Sequence, residues 1–228
     1  MSGAETTKNA AVTGNDPEAI KRKERSERIL VSEGVPIKSE LPLFKLSCDT
    51  EPRSKREVAL RALCVLMTAM KAQGMDQTMV LRVVRQYGLA MHFSPNEKEF
   101  IRDAAPTTNK KNAFSWRYEA AWVLLWALGF IEGLSIPNRT CDLDRAVACM
   151  RERNTNSFVN DAELRPLSQL LDQADLIYRY QASMTDAEQN QRTVPADLKA
   201  NVVYERLFSL NWLIRDPDRE WDDINVDS

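Results

Sequence analysis

Ala120-Ala121-Trp122-Val123-Leu124-Leu125-Trp126-Ala127-Leu128-Gly129-Phe130-Ile131 is a run of twelve residues without a polar side chain. A helix that is apolar all round is buried all round. A membrane span needs about 20 such residues, and Glu119 and Glu132 bracket this run. The stretch therefore predicts a central core helix, the hub on which amphipathic companions pack.

Those companions are legible on both sides. Asp16-Pro17-Glu18 offers an N-cap followed by proline in the first turn, and Gly34 stops the helix after Ile29-Leu30-Val31. Val35-Pro36 and Leu41-Pro42 read as extended connector, because residues before proline avoid the helical region. Ser54-Lys55-Arg56-Glu57 fits a capping box ahead of Val58, Ala62, Val65, Leu66, Ala69 and Met70, which recur at helical spacing until Gly74. Asp76 caps a third helix that turns Val80, Val83, Val84 and Tyr87 inward and ends at Gly88. Ser94-Pro95-Asn96-Glu97 is a second box, and Pro106 to Asn112 reads as a polar loop.

Beyond the apolar run, Asp142 caps a helix over Leu143 to Arg153, and Asn154 to Asn160 reads as a loop. Pro166 opens a long helix with Leu167, Leu170, Leu171, Ala174, Ile177 and Tyr178 on one stripe. Pro195 to Asp197 starts the last one, with Val203, Leu207, Leu210 and Ile214 inward, and Asp216-Pro217 stops it. Strand-like alternation is confined to residues 35 to 48. The expected fold is all-α, one helical domain over residues 16–228 with about seven or eight helices around the central one. Residues 1–15 lack apolar periodicity and read as a disordered tail.

Composition removes whole classes of chemistry. The 228 residues carry 31 Lys+Arg against 33 Asp+Glu, a net charge of −2 that argues against a dedicated polyanion binder. One histidine, His92, forbids a two-imidazole metal site within one copy, and it reads as structural or exposed rather than as a catalytic base. Seven scattered glycines form no phosphate loop. Cys48, Cys64, Cys141 and Cys149 contain no CxxC pair and read as buried free thiols. No cofactor and no metal is expected. The polar N-terminus does not resemble a signal peptide, so the chain reads as cytoplasmic, with no membrane partner. Lys21, Arg22, Lys23, Arg25 and Arg28 alternate with Glu18, Glu24 and Glu27, which describes a solvated helix face rather than a nucleic-acid patch.

Two sets of residues stand out as candidate sites. Asp172 and Asp175 lie three apart on one helix and Glu205 on the next; with Arg179 or Arg206 nearby they form a catalytic or cation-binding candidate, since crowded carboxylates shift one pKa upward. The plainer expectation is ionic pairing, Asp175 with Arg179 along one helix and Glu205 and Arg206 across helices. Trp122 and Trp126 belong to the core, whereas Trp116, beside Arg117, and Trp221, beside Asp222 and Asp223, border charged residues. Trp116, Arg117, Arg206, Trp221, Asp222 and Asp223 are therefore the binding candidates. The Trp221-Asp222-Asp223 segment either docks the C-terminus onto the domain or offers an acidic aromatic surface to a protein partner.

Trp116-Arg117-Tyr118-Glu119, Leu125 to Gly129, Cys141-Asp142, Asp175 to Tyr180, Glu205-Arg206, Leu210-Asn211-Trp212-Leu213 and Trp221-Asp222-Asp223 together resemble the bacterial domain of unknown function 4272 family. The resemblance covers roughly residues 25 to 227. The family has no established activity, so it implies a domain boundary and no catalytic residue. Relatives carry His-Trp where this chain has Gln181-Ala182, and a histidine where it has Leu207. These departures lower the expectation of a histidine-dependent enzyme. The leading functional expectation is an interaction module for a macromolecular partner; the alternative is a carboxylate-dependent, metal-assisted hydrolase using Asp172, Asp175 and Glu205 with Arg179.

Overall fold

The computed structural model describes residues 16–44, 53–214 and 220–226, and every regular element among them is helical. The assigned tail 1–15, Cys48, residues 45 to 47 of the alternating segment and the Asp216-Pro217 stop lie outside the described residues. In chain order the helices are α1 (Pro17–Ser32), α2 (Lys55–Ala72), α3 (Gln77–Tyr87), α4 (Pro95–Arg102), α5 (Thr108–Ser115), α6 (Arg117–Ala127), α7 (Leu143–Arg151), α8 (Thr155–Asp161), α9 (Leu167–Gln189) and α10 (Ala200–Ile214). No helix among the described residues is long and apolar enough to cross a membrane.

Local chemistry sets most of the starts. Asp16, Ser54, Asp76, Ser94 and Asp142 each accept a backbone N–H of the first turn through the side chain, satisfying donors that the helix cannot. At Ser94 the box closes in both directions. At Ser54 only half of it forms, because Glu57 turns instead to the Arg53 guanidinium.

The segments assigned to loops at Pro106–Asn112 and Asn154–Asn160 are corrected: they form most of α5 and α8. Thr107 and Asn154 cap them, and long-range packing holds them, Phe114 stacking on Phe100 at 4.3 Å and Phe158 lying 4.7 Å from Phe130. The last helix starts later than Pro195, since Ala196 and Asp197 sit at φ 50° and 55° and interrupt the turn. Residues 35–44 form no strand; Lys23 ties this connector to α1 through the carbonyls of Ser39 and Leu41.

Every residue of α6 from Tyr118 to Ala127 is buried, Trp122 and Trp126 among them. The helix lies between α2 on one side and α10 on the other; α9 packs on α10, and α1 on α9. The hub is shared, because α2 also gathers α3, α4, α5, α7 and α8. Gly129 makes the exit from α6 workable. It sits at φ 79°, and a Cβ there would meet the Glu163 carbonyl oxygen at 3.1 Å. Next to it, the Glu163 and Arg165 N–H groups donate to the carbonyls of Leu128 and Ala127.

Helix α1 is docked, and its cationic face is not wholly solvated as expected: Arg22 is buried, 3.4 Å from the Asp172 carboxylate. The C-terminal residues dock as well. Trp221 is 2% exposed and meets Phe208 and Trp212 edge-on at 4.8 and 5.3 Å. Asp222 accepts from the Ser94 hydroxyl and the Asn96 N–H, adding an acidic cap where the α4 dipole is positive.

Candidate functional site

The candidate residues fall into two ionic clusters with different neighbours. On the α1 side of α9, Asp175 holds Arg179 through two hydrogen bonds of 2.9 Å, with both side chains buried and Glu27 of α1 3.8 Å from the same guanidinium. One turn earlier, Asp172 accepts from Arg25 at 2.6 Å. Glu205 turns the other way, to Arg117 of α6 at 2.9 Å. The three carboxylates therefore face different guanidinium groups. The i,i+4 pairing of Asp175 with Arg179 is as expected, and Glu205 and Arg206 each pair across helices, both with α6.

The α6–α10 interface has the more unusual electrostatics. Burial pushes the Glu205 carboxyl above its ordinary value, and nearby Arg117 only partly offsets that effect. Glu119 begins the apolar run and is itself buried; one carboxylate oxygen accepts the Cys141 N–H, and the other lies 3.5 Å from the Arg206 Nε. That oxygen and that nitrogen both lack a hydrogen-bond partner. The pair is held by charge at a distance slightly too long for a bond. Burial also pulls Arg206 below the usual guanidinium range, with Glu119 acting against it. One terminal nitrogen of Arg206 donates to the Ser135 carbonyl. Cys141, between Tyr118 and Glu119, is a thiol held protonated by burial and the adjacent carboxylate.

Tyr180 of α9 donates its hydroxyl to the Glu33 carboxylate at the end of α1. Burial, then that hydrogen bond, raises the phenol, and Arg206 is close enough to act on it in the opposite sense. Segments far apart in the chain, 116–119, 141, 175–180 and 205–206, thus meet around the junction of α1, α6, α9 and α10. Glu119, Tyr180 and Glu33 were not singled out by sequence reasoning. A lone acid heading a helix that is apolar all round was a usable signal for Glu119, because a buried charge demands a partner. Nothing local marks Glu33 and Tyr180, which are 147 residues apart.

Of the binding candidates, Trp116 is half-buried and lines a cavity of about 140 Å³ with Tyr118, Glu119, Thr140 and Leu143. Arg117 covers the Phe208 ring at 4.4 Å, and Trp221 is enclosed, so neither presents a broad free surface. Asp222 is used as a cap, and Asp223 is exposed. Three further concavities are relevant. One of about 140 Å³ is lined by Glu33, Ser135, Tyr180 and Arg206 among aliphatic residues. An open cleft of about 430 Å³ runs along α9, past Tyr178, Gln181, Ala182, Leu207 and Val226. Gln181, Ala182 and Leu207 thus line this one cleft. His92 lines a third, polar depression of about 340 Å³ with Arg53 and Arg61. Among the described residues no group of three or more His, Cys, Asp or Glu is arranged to hold a metal ion, and Cys64, Cys141 and Cys149 are free.

A family model described as a domain of unknown function (DUF4272) matches residues 22–224. No curated protein and no solved structure matches the chain.

Proposed function

The chain belongs to the DUF4272 family, whose description names no activity, and from its geometry we propose that it is an interaction module that binds a protein partner in a bacterial cytoplasm. The observation that carries the reading is the open cleft along α9. Tyr178, Gln181, Ala182, Thr185 and Gln189 line it from one face of that helix, with Leu41, Leu207 and Val226 opposite. The lining combines apolar surface with uncharged hydrogen-bonding groups. Its one cation, Lys38, is paired with Asp186 at 3.2 Å. Such a surface suits partner side chains and offers little to phosphates, which bind through uncommitted cations. Gln181, Ala182 and Leu207 give this wall an amide, a methyl group and a leucine, which offer shape without an acid or base.

The alternative, a carboxylate-dependent and metal-assisted hydrolase, requires Asp172, Asp175 and Glu205 to give up Arg25, Arg179 and Arg117. Removing a buried partner costs about 3 to 5 kcal/mol, which applies to Asp175 and Glu205, while the Asp172–Arg25 pair is over a third exposed on both sides and is held only weakly. The test places a photo-crosslinking residue at Gln181 in the native cell, with and without Ala182→Trp to fill the cleft. A discrete protein adduct lost on filling, at unchanged melting temperature, is the expected result. Adducts unaffected by Ala182→Trp, or no adduct beyond that seen from the exposed position Gln86, overturn it.

A further inference from the structure

From the cavity between α1, α9 and α10, which the cleft reading leaves unused, we infer a second binding site, one for a small aliphatic zwitterion of the free α-amino-acid type. Two opposite charges border the same small space: the Glu33 carboxylate at the end of α1 and the Arg206 guanidinium on α10. Tyr180 lies between them, donating to Glu33 and sensing Arg206. The phenol keeps its proton and donates it in a hydrogen bond to the Glu33 carboxylate. Arg206 is 2% exposed; its Nε faces the Glu119 carboxylate at 3.5 Å and makes no hydrogen bond, which leaves the terminal nitrogens for the cavity. Only one of its terminal nitrogens bonds to a described residue, at the Ser135 carbonyl. A guanidinium has five N–H donors, and beside the Glu119 ion pair and the Ser135 carbonyl this buried one keeps terminal donors unspent.

The rest of the wall is largely aliphatic, with Ile29, Ile136, Leu176, Ile177 and Leu210 around the polar Gln173 and Ser135. An acid alone would satisfy Arg206 and be repelled by Glu33; an amine alone would do the reverse. A molecule carrying both groups on one carbon, with a branched hydrocarbon tail, matches all three parts of the lining. At about 140 Å³ the space is well below the roughly 300 to 1,000 Å³ of drug-sized pockets, which limits the ligand to metabolite size. Burial of Arg206 strengthens its charge contact relative to water, while Glu33 is half-buried.

The test is calorimetric titration of the full chain with L-leucine, alongside 4-methylpentanoate, which lacks the ammonium, and 3-methylbutylamine, which lacks the carboxylate. Saturable leucine binding is expected, with each analogue weaker by at least about tenfold. Two variants separate the site from the fold: Glu33→Gln, where the phenol keeps an acceptor, and Ile29→Trp, which plugs the rim from a partly exposed position. Both should weaken leucine by at least about tenfold at an unchanged melting temperature. Equal affinity for leucine and 4-methylpentanoate, undiminished binding in either variant, or no saturable binding of leucine, isoleucine or valine at about 10 mM overturns the assignment. Loss of the α9 cleft reading would leave this result untouched, since the two concavities share no lining residue.

Discussion

Replacing Trp221 by alanine separates a core residue from a surface contact. The indole is 2% exposed, meets Phe208 and Trp212 edge-on, and lies under the guanidinium groups of Arg61 and Arg117 at 5.3 and 5.8 Å. Truncating a buried tryptophan to alanine costs about 3 to 5 kcal/mol in lost transfer energy and residual cavity. The cation–π contacts contribute about 0.5 to 1 kcal/mol each where partly exposed, and part of that is already within the first figure. An expected loss of about 4 kcal/mol is a large share of the roughly 5 to 15 kcal/mol that a domain possesses. At about 2 to 4 °C per kcal/mol for this size, the melting temperature should fall by about 8 to 16 °C. Trp221→Phe, which retains an aromatic edge, should cost less than half as much. Urea denaturation followed by circular dichroism reads the change directly, with an unchanged slope if the native state is otherwise intact. A loss below about 1 kcal/mol would refute the argument that residues 220–226 complete the core, and would return Trp221 to the role of a partner-facing residue.

Three further outcomes follow from the site and its supports. Glu205 has a carboxyl raised above its ordinary 4.5, so the folded chain holds that proton more tightly than the unfolded one; the associated stability is full below pH 4.5 and declines as pH rises through the folded value. Denaturation from about pH 4 to 7 should show this decline in the wild type and a flatter profile in Glu205→Gln, and identical profiles would be contrary to the desolvation argument. Glu119→Leu should cost about 3 to 5 kcal/mol by leaving Arg206 buried without its counter-charge; adding Arg206→Met should recover part of it, with a coupling of about 0.5 to 3 kcal/mol in a double-mutant cycle, so additive losses would argue against the pair. Gly129→Ala should destabilise by about 1 to 3 kcal/mol, because alanine resists the positive φ and its Cβ crowds the Glu163 carbonyl; a thermal melt equal to wild type would show that the exit from α6 can relax.

The legible parts of the fold are those whose cause is local. Asp16, Ser54, Asp76, Ser94 and Asp142 announce helix starts because a capping side chain reaches donors only two or three residues away. Helices α5 and α8 escaped notice although Thr107 and Asn154 were visible caps, because neither segment has an apolar stripe of its own. Their anchors are Phe114 on Phe100 and Phe158 on Phe130, contacts that only folding brings together. The site shows the same division. Arg117, Glu205 and Arg206 were candidates from the sequence, but the partner of each belongs to another helix. Tyr180 was marked only as the end of a segment carrying the family resemblance, and Glu33 was not marked at all.

By itself, then, the amino-acid order determined an all-helical chain, a buried rod over residues 120–128, most of the caps, and the poverty of histidine, glycine and paired cysteine that narrows the chemistry. Periodicity, capping and composition act within a few residues, and so can be read without coordinates. Tertiary structure decided which carboxylate met which guanidinium, that Trp221 lies inside and not on the surface, and that Glu33, Tyr180 and Arg206 border one small space. Those outcomes depend on how one helix is rotated and slid against another. That geometry is set by the packing of the whole interface, which no single segment encodes.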